Sequence, residues 1–170
     1  MAGGGTGSSS IVFAEQLNQT NGETVYLDFS KPSTAIAQRR ARARSLCNIV
    51  WILSWIEGIK FLGLGYFDNI ESAGVLHHLK NPLLGLDVLK DVSHLKGGMD
   101  LMVYAKIGRT AVYMLQDLMQ IINQSTDLIA KQLYYCKEIL RDIPKHHWFL
   151  VNDLVNDHKS GLNYQIGFNE

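Results

Sequence analysis

The segment VLHHLKNPLLGL, residues 75–86, holds the densest set of side chains able to do chemistry in this 170-residue chain. Read as a helix, it puts Lys80 and Asn81 three and four residues beyond His77, on the same surface. An imidazole held in water titrates near its unperturbed pKa of about 6.5, which suits a ring nitrogen to attack phosphorus or to engage a partner. The neighbouring ammonium and amide would orient phosphoryl oxygens. Pro82 has no N–H, so the carbonyl of His78 would lose its helical hydrogen bond and the helix would bend at the turn carrying His77. Two surface histidines on a helix of an unrelated bundle are the plainer alternative.

Elsewhere the reactive side chains do not converge. No histidine pairs with a carboxylate or another histidine at the i, i+4 spacing of a helical metal site, and the adjacent pairs His77-His78 and His146-His147 diverge. No nucleophile elbow, phosphate loop or dinucleotide fingerprint is found. The glycines of MAGGGTGSSS precede no strand–helix unit, so this opening reads as a flexible, solvated tail, and it lacks the apolar core of a signal peptide. Trp51, Trp55 and Trp148 read as core or interface anchors. Cys47 and Cys136 show neither metal spacing nor a disulfide framework, as suits a reducing cytosol. Sixteen basic residues balance sixteen acidic ones, so attraction to nucleic acid is not the default.

The elements that must position His77 follow from periodicity. Residues 11–29 read as a short hairpin about Asn21-Gly22, with a helix through Glu15-Gln16-Leu17 as the other reading. Pro32 with Ser33 or Thr34 opens a helix whose arginines, Arg39 to Arg44, form a solvated face. Residues 45–67 are apolar enough to span a bilayer, but Glu57 and Lys60 inside them favour a buried or dimer-buried helix over a membrane one. Leu76, Leu79, Leu83 and Leu86 make a coiled-coil-like seam, Lys96-Gly97-Gly98 reads as a turn, and a second stripe runs from Tyr104 to Ile121. Two such helices form an antiparallel hairpin that needs a second copy to cover both stripes, giving a dimeric four-helix bundle. A further helix over 129–143 stops at Pro144, another covers 146–157, and residues 162–168 alternate as a strand. The fold class expected is therefore mainly all-α, with a small C-terminal α/β remnant.

HHLKNPLLGL, residues 77–86, resembles the H-box of sensor histidine kinases, and residues 107–125 resemble the second helix of their dimerisation and histidine-phosphotransfer domain. Residues 138–170 are more weakly similar to the opening of the kinase ATP-binding domain. The resemblance implies that His77 is the phosphoacceptor and that Asn81 positions water for dephosphorylating a response regulator, with Lys80 beside them. His78 stands where the commonest class carries an acid, and is a secondary candidate. SHLKGG, residues 93–98, is similar to the signature of monomeric phosphotransfer domains, which makes His94 another, out of register by one. The organisation implied is a tail with a short hairpin over 1–32, an N-terminal helical segment over 33–67, the phosphotransfer hairpin over 68–124, and C-terminal helices with one strand over 125–170. The expected protein is a cytoplasmic, homodimeric phosphotransferase exchanging phosphate with a receiver domain. It uses no cofactor in this chain, with ATP only if a downstream domain supplies its site. A non-catalytic dimerising module and a membrane-associated helical subunit are the alternatives.

Overall fold

A computed structural model of the chain describes residues 1–124 and 127–152. It divides into two compact units, Met1–Val103 and Tyr104–Glu170.

The first unit alternates helices with parallel strands. Gly7, at φ +86°, turns the chain into helix α1 (Ser8–Leu17), which buries Ser10, Ile11 and Ala14 along one side. Strand β1 (Thr24–Asp28) follows, with Val25 alone not fully buried. Cover on both faces makes it a near-continuous apolar run rather than an alternating one. The Ser30 hydroxyl accepts the Ser33 N–H and Pro32 occupies the first turn, so helix α2 (Lys31–Arg42) starts cleanly; Arg39, Arg40 and Arg42 complement its carboxyl end. Strand β2 (Ile49–Leu53) lies parallel to β1 in the register Thr24↔Ile49. A 3-10 segment, Ile56–Leu62, carries Glu57 and Lys60. Strand β3 (Phe67–Ala73), a 3-10 turn at Leu76–His78, helix α3 (Pro82–Asp91) and strand β4 (Ser93–Met102) complete the unit, β4 running parallel to β3.

The two sheets meet through the first residues of the chain. The Met1 amine donates to the Val25 carbonyl at 2.8 Å. Leu27 donates to the Met1 carbonyl at 3.0 Å, Ala2 to Glu71 at 2.9 Å, and Gly3 to Leu27 at 2.9 Å. Ala2 thus forms an isolated parallel bridge with Leu27 while bonding β3 on its other side. One core cluster holds Ala2, Leu27, Ile70, Leu76 and Leu89; another packs Tyr26 among Ile11, Ala14, Ala37 and Ala41.

The second unit contains α4 (Thr110–Asn123), α5 (Ile129–Asp142) and the short α6 (Trp148–Val151). Ala111, Val112 and Leu115 pack with Phe149. The buried Arg109 lays its guanidinium over Tyr104, 3.2 Å from the ring centroid.

An all-α bundle is therefore ruled out. The leucine seam that suggested it is broken by burial: Leu76 is 4% exposed and Leu83 72%, because a 3-10 turn and a new helix begin between them. Pro82 does not bend a helix but opens one, at the first position, where the missing N–H costs nothing. Residues 45–67 form β2 and the 3-10 segment, and no helix among the described residues is long and apolar enough to cross a membrane. Lys96-Gly97-Gly98 lies within β4, where the register jumps from Phe67↔Ser93 to Asn69↔Gly98. The strand expected over 162–168 lies outside the described residues.

Candidate functional site

The site lies where the first loop leaves the sheets at the carboxyl ends of β1 and β3. In parallel α/β structures this is where ligands bind, because loops diverge there and leave a crevice. The loop is AGGGTG, residues 2–7, followed directly by α1. Gly3, Gly5 and Gly7 have φ of +83°, +52° and +86°, a region that side chains disfavour. Their reasons for lacking a side chain differ. A Cβ on Gly3 would collide with Val75, one on Gly4 with the Tyr26 ring, and one on Gly7 would stand 2.6 Å from the Ala37 Cβ. A Cβ on Gly5 would meet nothing within 4 Å, so the loop is open on that side.

Asp28, the last residue of β1, ties the loop to its own strand. Its Oδ2 accepts the Gly5 N–H at 2.8 Å and its Oδ1 accepts the Ser30 N–H at 2.7 Å. The residue is buried at 8% exposure, and each oxygen keeps a second lone pair for another donor. The Tyr26 hydroxyl donates to the Gly5 carbonyl at 2.6 Å and lies 3.4 Å from the Thr34 hydroxyl. Burial pushes this phenol above its ordinary pKa; the Thr34 contact opposes the shift and the Asp28 carboxylate adds to it. Beyond Asp28, Phe29 stacks on Trp55 with ring centroids 4.5 Å apart and planes 6° off parallel. Both rings are largely exposed, leaving π surface at the ends of β1 and β2.

The histidine segment begins next to this loop but is built for something else. His77 and His78 occupy the 3-10 turn with ring centroids 4.1 Å apart, and both ring nitrogens of His77 are enclosed rather than held in water. Lys80 is exposed. Asn81 caps α3, its side-chain oxygen accepting the Leu84 N–H at 3.2 Å. His94 lies on β4, where its Nδ1 accepts the Lys96 N–H at 3.2 Å. The geometry that placed His77, Lys80 and Asn81 on one helix face does not exist, since the 3-10 turn ends at His78 and Asn81 caps the helix that follows.

The family model for a methyltransferase domain matches residues 1–95. The chain belongs to the methyltransferase-domain family. An uncharacterized protein of Synechococcus sp. is 32% identical over 123 residues, 71% of this chain; the chain spans 28% of that relative's length. Among solved structures, PKMT2 of Rickettsia typhi, determined in complex with AdoHcy, gives a TM-score of 0.66 at 16% identity over 96% of this chain and 33% of that one. An rRNA methylase of Streptococcus thermophilus gives 0.50 at 14% identity, over 67% of this chain and 65% of that one. These likenesses support a Rossmann-like fold and overturn the histidine-kinase reading, together with the phosphotransferase activity and two-component function drawn from it. The non-catalytic dimerising module and the membrane-associated subunit fall with it.

The residues that sequence reasoning missed are Gly3 to Gly7 and Asp28. Their signal is a glycine loop opening an apolar helix, then an acid at the end of an apolar run; Gly5 and Asp28 are 23 positions apart. Only Met1 and Ala2 stand before the glycines in the sequence, with no apolar run to mark a strand, so the loop passed for a tail.

Proposed function

We propose that the chain binds S-adenosylmethionine and forms the methyl-donor site of a methyltransferase. The observation that carries this reading is the buried Asp28 carboxylate holding the open glycine loop at the end of β1. The residues fit the group. Asp28 has acceptor capacity for a ribose diol, the Gly3–Gly7 backbone and the positive end of α1 suit a carboxylate, and the Phe29–Trp55 stack offers a face for a purine. When bound, S-adenosylmethionine supplies an electrophilic methyl group on a sulfonium. The expectation that this chain uses no cofactor is accordingly replaced.

The chain's own part is to hold and orient. Asp28 fixes the loop before any ligand arrives, Tyr26 anchors the same loop from beneath, and Gly5 keeps its outer side clear. Preorganisation of this kind lowers the ordering cost of binding.

Titration calorimetry with S-adenosylmethionine and S-adenosylhomocysteine tests the reading. Saturable binding of both is expected, with mutual competition and at least about tenfold weaker affinity in Asp28→Asn, a loss of roughly 1.4 kcal/mol. A folded protein, verified by circular dichroism, that binds neither ligand would overturn it.

A further inference from the structure

We infer that Arg40 of α2 is a positioning residue of the cofactor site. It sets the outer peptide of the glycine loop so that the loop selects a ligand ending in a carboxylate. This deepens the S-adenosylmethionine reading and rests on it.

One side of α2 supports the loop. Thr34 lies against the Tyr26 hydroxyl, Ala37 stands where a side chain on Gly7 would be, and Arg40 follows three positions on. Arg40 Nη1 donates to the Thr6 carbonyl at 2.8 Å, and lies 3.2 Å from the Ser8 hydroxyl and 3.4 Å from the Thr6 hydroxyl. The half-buried arginine thus joins the turn to the first residue of α1 across Gly7.

Trans peptides make these contacts directional, because the C=O of one residue and the N–H of the next point opposite ways. Tyr26 of β1 holds the Gly5 carbonyl, which turns the Thr6 N–H away from that strand. Arg40 holds the Thr6 carbonyl, which sends the Gly7 N–H back to the Gly4 carbonyl at 2.9 Å and closes the turn. The N–H groups of Thr6, Ser8 and Ser9 meet no acceptor among the described residues. Donors left open while the neighbouring carbonyls are tied away suit an anion.

Arg40 also brings charge. Arg44, one turn on, pairs with Glu15 at 3.1 Å, whereas no carboxylate of the described residues lies within ion-pair reach of Arg40. Its charge-assisted bond to Thr6 is stronger than a neutral one, and its field favours a carboxylate at the loop. A ribose or a purine gains nothing from that field.

Calorimetry on the full chain compares S-adenosylhomocysteine with methylthioadenosine, which keeps the adenosine and the sulfur but has no amino-acid end. Arg40→Met keeps the aliphatic stem and removes the guanidinium. It should weaken S-adenosylhomocysteine binding by about tenfold and methylthioadenosine binding by less than about twofold. Arg40→Lys should recover most of the loss, since a single nitrogen makes all the contacts to Thr6 and Ser8 and an ammonium can replace it. Asp28→Asn, acting at the ribose, should weaken both ligands. If Arg40→Met is unfolded by circular dichroism, the ratio of the two affinities in Arg40→Gln decides in its place. Equal weakening of both ligands, or of neither, overturns the inference and leaves the cofactor reading standing. A folded parent chain that binds neither ligand overturns both.

Discussion

The Tyr26 hydroxyl donates to the carbonyl of Gly5 at 2.6 Å, across 21 positions of sequence, so a fully buried ring of β1 fastens the centre of the glycine loop. Tyr26→Phe keeps the ring against Trp51 and removes only this bond. Denaturant unfolding should show a loss of about 1 kcal/mol. Affinity for S-adenosylhomocysteine should fall severalfold, because the loop then has to be ordered by the ligand. Unchanged affinity would show that Asp28 holds the loop unaided.

The same phenol gives an alkaline signature. Its folded pKa lies above the unfolded value of about 10, so folding favours the protonated ring. That contribution is fully present below about pH 10 and is lost as pH rises through the folded value. Melting temperature of the parent chain should therefore drop more steeply above about pH 10 than that of Tyr26→Phe. Parallel curves for the two proteins would contradict this.

Alanine at two of the loop glycines should separate packing from ligand access. Gly7→Ala meets the Ala37 Cβ at 2.6 Å in a left-handed conformation and should destabilise by about 2 kcal/mol or more. Gly5→Ala meets no atom within 4 Å and should cost only about 1 kcal/mol, yet weaken S-adenosylhomocysteine binding more than Tyr26→Phe does. Full affinity in Gly5→Ala, measured by calorimetry, would place the ligand on another side of the loop.

Asn81→Ala removes the cap of α3 and should lower stability by about 1 kcal/mol in urea titration. It should leave S-adenosylhomocysteine affinity as in the parent. A selective loss of binding with stability intact would give Asn81 a role its hydrogen bond does not suggest.

Ser72 is fully buried on β3, and its hydroxyl has no hydrogen-bond partner among the described residues. Ser72→Ala should be neutral or raise stability by up to about 1–2 kcal/mol, since an unsatisfied buried donor is removed. A comparable loss in thermal unfolding would mean that the hydroxyl is bonded in solution.

How far these features could be read in the sequence depended on whether their cause was local. The helix α2 start was legible from Pro32, which acts within one turn, although the cap is Ser30 and not Ser33 or Thr34; the stop of α5 before Pro144 has an equally local cause. The strands were not. TVYLD is buried almost throughout, and IVWIL is apolar at every position although Val50 and Leu53 are exposed, so neither shows the alternation that marks a half-exposed strand. IVWIL also merges with the apolar residues after it into a run of helical or membrane length. The leucines from Leu76 to Leu86 have true helical spacing, and only Asn81-Pro82, a cap followed by an N-terminal proline, says that a helix begins among them. Asp28 was illegible for a different reason: its partner, the Gly5 N–H, comes from a loop 23 positions earlier that no apolar run introduces.

Ala2 donates to Glu71 of β3 while Met1 and Gly3 on either side of it bond β1, and this bears on how the first unit comes apart. The β1–β2 pair with α1 and α2 has its own buried cluster around Tyr26, while β3 and α3 contribute Ile70 and Leu89 to the other. Two groupings joined by the Met1–Gly3 backbone and by Leu27, which packs with Ile70 and Leu89, are candidates for separate opening units in native-state exchange. A ligand gripping both the glycine loop and the end of β1 would stabilise the first grouping, so its concentration would set how far apart the two halves melt.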